Sequence, residues 1–268
     1  MQGTGLSPRT ALHDLRANAR PFAVLLYVAV ALTVSEYIFW AGRFNVLFPQ
    51  AARDYAPAWY YGSFDLAAQN GVAGRGPWWG VLLPQAWWSV GTFVVWVIIP
   101  LIATRLAGVR EIGLSPRGLA GKIWIYGVSF LVMLPVVVWA STRAGFLQTY
   151  PFLKPWYSAN WCWQLLLCFW LLYALQFVSV EVFFRGFVCF TLEKSFGFGA
   201  IAVMTVPYCM IHFHKPLMEA LAAIGAGVVL GWLALKTRSI WGGVLLHIAV
   251  AFSMDLLALW RSSSFPTR

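Results

Sequence analysis

Apolar residues recur along this chain in long runs that are separated by short segments containing polar residues, proline or glycine. Runs of about 20 apolar residues are typical of transmembrane helices, because a helix rises about 1.5 Å per residue and the hydrocarbon core is about 30 Å thick. The pattern therefore predicts an all-α, polytopic transmembrane helical bundle of about seven spans, within a range of six to eight. The predicted spans are residues 22–41, 81–104, 123–141, 161–190, 199–213, 217–235 and 241–260.

Composition supports the same class of protein. Hydrophobic residues make up 60% of the chain and charged residues only 10%, whereas soluble domains carry about 25% charge. The spans leave little room for a separate soluble domain in 268 residues, so we expect a single integral membrane domain over residues 1–268. We expect it to lie in the bacterial cytoplasmic membrane.

The net charge of +10 has its own explanation. Lys and Arg lie mostly at the ends of the apolar runs, where they mark the membrane interface and contact anionic head groups. Membrane lipids are therefore predicted partners, and nucleic acid is not. The basic residues are nearly balanced between the two sides, so the orientation is left open.

The first apolar run differs from a cleaved signal peptide. It is longer than an h-region of about 7 to 15 residues, contains Glu36, and ends at aromatic residues. We predict an uncleaved first helix. The segment after it is rich in aromatics, and Trp59, Tyr60 and Tyr61 suit an interfacial belt. The four cysteines fall in or beside apolar runs and are interpreted as core residues.

Ionisable residues inside the apolar runs are concentrated in the last third of the chain. Glu181 and Arg185 are four residues apart, so they lie on one face of a helix and can neutralise each other. His212 and His247 lie on two later runs. A charge in the membrane interior is costly unless it is paired. We therefore predict that these four residues share one cavity.

A carboxylate and two imidazoles on separate helices are suited to hydrolysis, which needs a base for water and donors for an oxyanion. Two other interpretations remain open. The Glu181–Arg185 pair could simply stabilise the bundle, or Glu181, His212 and His247 could bind zinc. The sequence does not have the residue spacing of a typical zinc site. The H-E-x-x-H motif is absent, and the side chains of His212 and His214 would diverge by about 200° on a helix. No cofactor is predicted, and zinc is kept as the alternative.

Three motifs in this region resemble those of a known family. Residues 180–186 are similar to its Glu-Glu-x-x-x-Arg motif, Tyr208–His212 to its Phe-x-x-x-His motif, and His247 with Ala251 to its His-x-x-x-Asn motif. The family is the CPBP group of membrane proteins, the CAAX proteases and bacteriocin-processing enzymes also called Abi, which includes the type II CAAX prenyl endopeptidase. The family-like core covers about residues 161–260.

Two positions lack the polar residue of the family pattern. Val180 stands where the family has its first Glu, and Ala251 stands where it has Asn. Glu181 does not automatically replace the missing carboxylate, because adjacent helical side chains diverge by about 100°. Asp255 lies about 80° round and 12 Å along from His247, so it would replace the Asn only on an irregular helix.

The resemblance implies an intramembrane glutamic endopeptidase that cleaves a membrane-associated or lipidated protein or peptide. By this resemblance Glu181 and His212 would activate water, His247 would stabilise the oxyanion and Arg185 would hold Glu181. Tyr208 and Asp255 are supporting residues. The alternative is a catalytically inactive relative that uses the same cavity to bind a membrane partner. An ion pathway would also explain the buried ionisable residues but does not require the motif order.

Overall fold

The computed structural model describes residues 18–56, 77–109, 111–143, 145–213 and 215–266. Over these ranges the chain forms helices, turns and loops, and no β-strand. The predicted all-α class is therefore confirmed. The seven principal helices are α1 (Ala19–Phe39), α2 (Gly80–Leu106), α3 (Ile123–Ser141), α4 (Trp163–Phe196), α5 (Gly199–Met210), α6 (Leu217–Thr237) and α7 (Trp241–Arg261).

Six of these helices are long and apolar enough to cross a membrane, and α5 is the exception. The sequence pattern predicted a span over residues 199–213, but the helix ends at Met210. At about 1.5 Å per residue, α5 is about 18 Å long, which is shorter than the hydrocarbon core. Six spans lie within the predicted range of six to eight.

Two features predicted near the N-terminus have different outcomes. The first predicted span corresponds to α1, which begins at Ala19 and ends at Phe39. The proposed aromatic belt at Trp59, Tyr60 and Tyr61 lies outside the described residues. Short helices follow α1, including Pro49–Tyr55, whose first residue is proline. Proline is favoured there because its fixed φ suits the first helical turn.

Helix α4 lies at the centre of the bundle. Its segment Glu181–Cys189 is π-helical, and every residue of that segment is buried. The apolar side chains of this segment pack against residues of α1, α2 and α5 in the main core. Trp96 of α2, for example, stacks on Phe183 with ring centroids 5.1 Å apart. Short π-helical stretches are rare in proteins as a whole but occur often at functional sites. This one contains the first motif from Glu181 onward, and Val180 directly precedes it.

Helices α5 and α6 approach closely through two glycines of α6. A Cβ atom at Gly227 would lie 2.8 Å from the Thr205 side chain, and one at Gly231 would lie 3.0 Å from Met204. Small residues allow such close helix packing in membranes. Gly227 and Gly231 are therefore packing residues of the α5–α6 contact, which holds Tyr208 and the backbone of α6 beside α4.

An ion-pair cluster ties the chain together at the end of the bundle where α6 meets α7. Arg238 donates to both carboxylate oxygens of Glu111, at 2.7 and 2.6 Å, and to Glu193 at 2.7 Å. The hydrogen bond from Arg238 lowers the pKa of Glu111. The cluster joins the α2–α3 loop and α4 to the turn before α7, which fixes the start of α7.

The loop between α3 and α4 is anchored at the opposite end of the bundle. The Tyr150 hydroxyl donates to Glu219 of α6, at 3.0 and 2.9 Å to its two oxygens. Asp255 of α7 accepts hydrogen bonds from the Phe152 backbone N–H and the Trp170 indole N–H, both at 3.0 Å. Asp255 is therefore placed as an anchor for this loop and for α4.

We expect Asp255→Ala to lower the free energy of unfolding by about 2 kcal/mol or more. The substitution leaves the Phe152 and Trp170 N–H groups without their acceptor, and each buried unpaired donor costs about 1–3 kcal/mol. Thermal unfolding of the purified protein in detergent measures the change. Asp54→Ala is the control, because Asp54 is exposed and, within the described ranges, accepts its side-chain hydrogen bond from Gln50 one turn earlier on the same helix. Equal midpoints for the two variants would contradict the anchoring role.

Candidate active site

Four polar side chains from three helices meet beside the π-helical segment of α4. The Glu181 Oε1 atom lies 3.0 Å from Nη1 of Arg185 and 2.9 Å from Nδ1 of His247 on α7. The His247 Nε2 atom in turn lies 2.9 Å from the hydroxyl of Tyr208 on α5. Of the four residues predicted to share one cavity, Glu181, Arg185 and His247 meet here together with Tyr208. His212 contacts Tyr208 instead of the carboxylate.

The two contacts of Glu181 act mainly through charge. Their N···O distances are short, but the N–H groups do not point in line at the oxygen as in a hydrogen bond. Glu181 and Arg185 are both completely buried. Because an arginine stays protonated in proteins, Arg185 places a full positive charge 3.0 Å from the carboxylate, and the two form a buried ion pair. Removing either partner would leave an uncompensated buried charge.

Arg185 is held by two groups besides Glu181. Its Nη2 donates to the Ala226 carbonyl of α6 at 3.3 Å, and its guanidinium lies over the Tyr208 ring, 4.0 Å from the ring centroid. A cation over an aromatic face is favourable, more so where water is excluded. Arg185 thus fixes both the carboxylate beside it and the tyrosine that reaches His247.

Glycine on α7 makes room for the carboxylate. A Cβ atom on Gly243 would overlap Oε2 of Glu181, and one on Gly242 would overlap the ring of Tyr126. Only glycine lets α7 approach α4 and α3 this closely. The sequence interpretation missed this role, although two adjacent glycines, five and four residues before His247, were a visible signal for close backbone contact.

His212 lies in the turn after α5 and is half-buried. Its Nδ1 atom is 2.9 Å from the Tyr208 carbonyl oxygen, and its ring packs edge-on against the Tyr208 ring. No ion pair joins His212 to Glu181 in the described part of the chain. Since a carbonyl only accepts, Nδ1 must carry the proton, and the Nε2 lone pair of His212 is available as a base.

The two positions that lack the polar residue of the family motifs lie in apolar surroundings. Val180 packs partly buried against the main core, and Ala251 is buried in a cluster with Phe169 and Tyr173. Asp255 bonds the α3–α4 loop, as described above, and makes no described contact with His247. His214 lies outside the described residues.

The accessible part of the cluster is on the imidazole side. The His247 side chain is 19% exposed and the Glu181 side chain 1%. Phe177 stacks on the His247 ring at 5.5 Å between centroids, which fixes the plane of the ring. Among the described residues no three His, Cys, Asp or Glu side chains are arranged to hold a metal ion. The arrangement can move a proton at an imidazole whose charge a buried carboxylate compensates.

Comparison with known proteins identifies the region that contains these residues. The family model described as Type II CAAX prenyl endopeptidase Rce1-like matches residues 161–253. That range includes Glu181, Arg185, Tyr208, His212 and His247. No curated protein and no solved structure matches the chain. The match confirms the resemblance to the CAAX protease family drawn from the three motifs.

We expect Gly243→Ala to displace the Glu181 carboxylate and to reduce the yield of folded protein, because its Cβ atom would overlap Oε2. Overpacking of this kind costs about 1–3 kcal/mol. Gly225→Ala on α6 is the matched control, since a Cβ atom there meets nothing within 4 Å. Size-exclusion yield in detergent measures the effect. Normal yield and stability for Gly243→Ala would contradict the packing.

We also expect Arg185→Ala to lower the folded yield more than His247→Ala. The first change leaves the Glu181 charge buried without its cation, at a cost of about 3–5 kcal/mol, whereas His247 is the more exposed partner. Quantitative blotting of membrane fractions checks the order. Adding Glu181→Gln to Arg185→Ala should recover part of the yield. Equal yields for the two single variants would show that Arg185 does not hold the carboxylate.

Proposed function

We propose, from the match of residues 161–253 to the Rce1-like CAAX endopeptidase family model, that this protein is an intramembrane endopeptidase. Its substrate would be a membrane-associated or lipidated protein or peptide, and the reaction hydrolysis of a peptide bond. Six apolar helices support an integral membrane location, and we place the protein in the bacterial cytoplasmic membrane.

One observation carries the proposal beyond the family resemblance. A fully buried carboxylate, Glu181, lies between the guanidinium of Arg185 and the imidazole of His247 on another helix. Charges in a low-dielectric site that are already in position stabilise a transition state strongly, because they need no reorganisation during the reaction. A pair that served only to neutralise Glu181 would need Arg185 alone, so the contact with His247 favours a chemical role.

The geometry supports distinct roles for the two histidines. His212 would accept the proton of the attacking water at Nε2, because its Nδ1–H donates to the Tyr208 carbonyl. His247 would lie on the side of the oxyanion, with Glu181 compensating any positive charge on its ring. Glu181 would thus act through His247. The sequence-based proposal instead had Glu181 act on water directly, which its 1% exposure does not favour.

A second function is supported by a separate observation. Val180 and Ala251 are apolar at the two positions where the family has polar groups, and both pack among apolar residues. A relative that has lost catalysis would retain the fold and the cavity but bind or escort a membrane partner. The Glu181–Arg185 pair would then have a structural role.

We expect Glu181→Gln to lower turnover by about 10² or more at normal protein abundance. Glutamine keeps the shape of the side chain but removes the charge that stabilises a protonated His247. An internally quenched prenylated peptide, with the protein in detergent or vesicles, measures the rate. Glu219→Gln is the control. Glu219 forms an ion pair with Lys215 and accepts a hydrogen bond from Tyr150, and it is not part of the Glu181–His247 cluster.

The same variant separates the two functions in cells. Full complementation of a deletion strain by Glu181→Gln, at normal abundance, would contradict the peptidase proposal and favour the binding protein. In that case Val180→Glu, which restores the first carboxylate of the family motif, is the variant to test for new hydrolysis. Repulsion between adjacent buried carboxylates opposes that gain.

A further inference from the structure

Tyr208 is a supporting residue by the family resemblance, but neither that resemblance nor the proposed roles assign a function to its hydroxyl group. The family motif has Phe at this position, and a phenylalanine would fill the same space with no hydroxyl. In this chain the hydroxyl lies 2.9 Å from Nε2 of His247. A buried tyrosine hydroxyl requires a partner, so the extra oxygen and its contact with His247 belong together.

The surroundings of Tyr208 fix the direction of its hydroxyl. Its side chain is 1% exposed. The Arg185 guanidinium lies 4.0 Å from the centre of its ring, and Phe184 packs edge-on against it at 5.4 Å. Gly227 of α6 leaves only enough space for the ring, since a Cβ atom there would lie 3.2 Å from it. A side chain held on several sides cannot easily swing its hydroxyl away from His247.

The contacts on the other side of the imidazole determine which nitrogen carries the proton. The ionised Glu181 lies 2.9 Å from Nδ1 of His247, and a carboxylate beside a bare lone pair would be repulsive. Nδ1 therefore carries the hydrogen in the neutral ring, and Nε2 is the acceptor. The Tyr208 hydroxyl then donates to Nε2. If His247 takes up a second proton, the hydroxyl can rotate and accept from Nε2–H without movement of either ring.

On this geometry we propose that Tyr208 is the positioning residue of His247. Its hydroxyl holds Nε2 and, with Glu181 beside Nδ1, fixes the tautomer of the neutral imidazole and the orientation of the ring in both protonation states. Second contacts of this kind commonly determine which nitrogen of a histidine reacts. The Tyr208 hydroxyl gives His247 a polar neighbour on α5. Ala251, which lies on the same helix as His247, has no polar side-chain group to offer. This proposal rests on the proposed endopeptidase function for its effect on rate.

The test is Tyr208→Phe, which removes only the hydroxyl and introduces the residue of the family motif. We expect kcat for the quenched prenylated peptide to fall about tenfold or more, with KM within twofold and the yield of folded protein unchanged. Tyr126→Phe is the matched control, because it also removes a buried hydroxyl, one that contacts Thr237 at the end of α6. An unchanged kcat for Tyr208→Phe would overturn the proposal.

A second measurement does not depend on activity. In protein labelled with ¹⁵N-histidine, the signals of His247 are those lost in His247→Gln, and they report which ring nitrogen is protonated or hydrogen-bonded. We expect Tyr208→Phe to shift the Nε2 resonance of His247, and Tyr126→Phe to leave it in place. An unshifted resonance would overturn the proposal. A wild-type protein without peptidase activity but with the shift would reject the proposed function and keep the Tyr208–His247 contact.

Discussion

The ionised carboxylate of Glu181 is the constraint on which the centre of this bundle depends. An isolated charge at that depth would cost several kcal/mol, so the fold has to bring a cation to it and close the surrounding space. Arg185 supplies the cation, and the π-helical turn of α4 carries both residues. Gly243 supplies the space on α7. The close approach of α4 and α7 then places His247 against the same carboxylate.

Much of this arrangement could be predicted from the sequence, because its causes are local. Long apolar runs give helices, and a polar residue on such a helix faces the protein interior. The spacing of Glu181 and Arg185 predicted their pairing, and the apolar runs around His212 and His247 predicted that both would face the bundle. The start of α6 at Leu217 follows from the proline before it, which disfavours helix at the residue preceding it.

The remaining features depend on contacts between distant segments. Spacing along the chain cannot say whether Glu181 meets His212 or His247, because that depends on how far α5 extends and where α7 begins. Helix α5 ends at Met210, so His212 lies in a turn and contacts the backbone of Tyr208 instead of the carboxylate. Asp255 does not replace the missing Asn, because its carboxylate accepts a hydrogen bond from the Phe152 backbone N–H of the α3–α4 loop. Neither result has a signature in local sequence.

The position of both members of the ion pair on one helix has a consequence for biogenesis. Glu181 and Arg185 are four residues apart on α4, so each charge finds its partner as soon as that helix forms. Insertion of α4 into the bilayer therefore does not have to wait until α5, α6 and α7 have been synthesised. A pair divided between two helices would leave the earlier helix with an unneutralised charge during translation. Helix α4 can thus serve as the template on which the last three helices assemble.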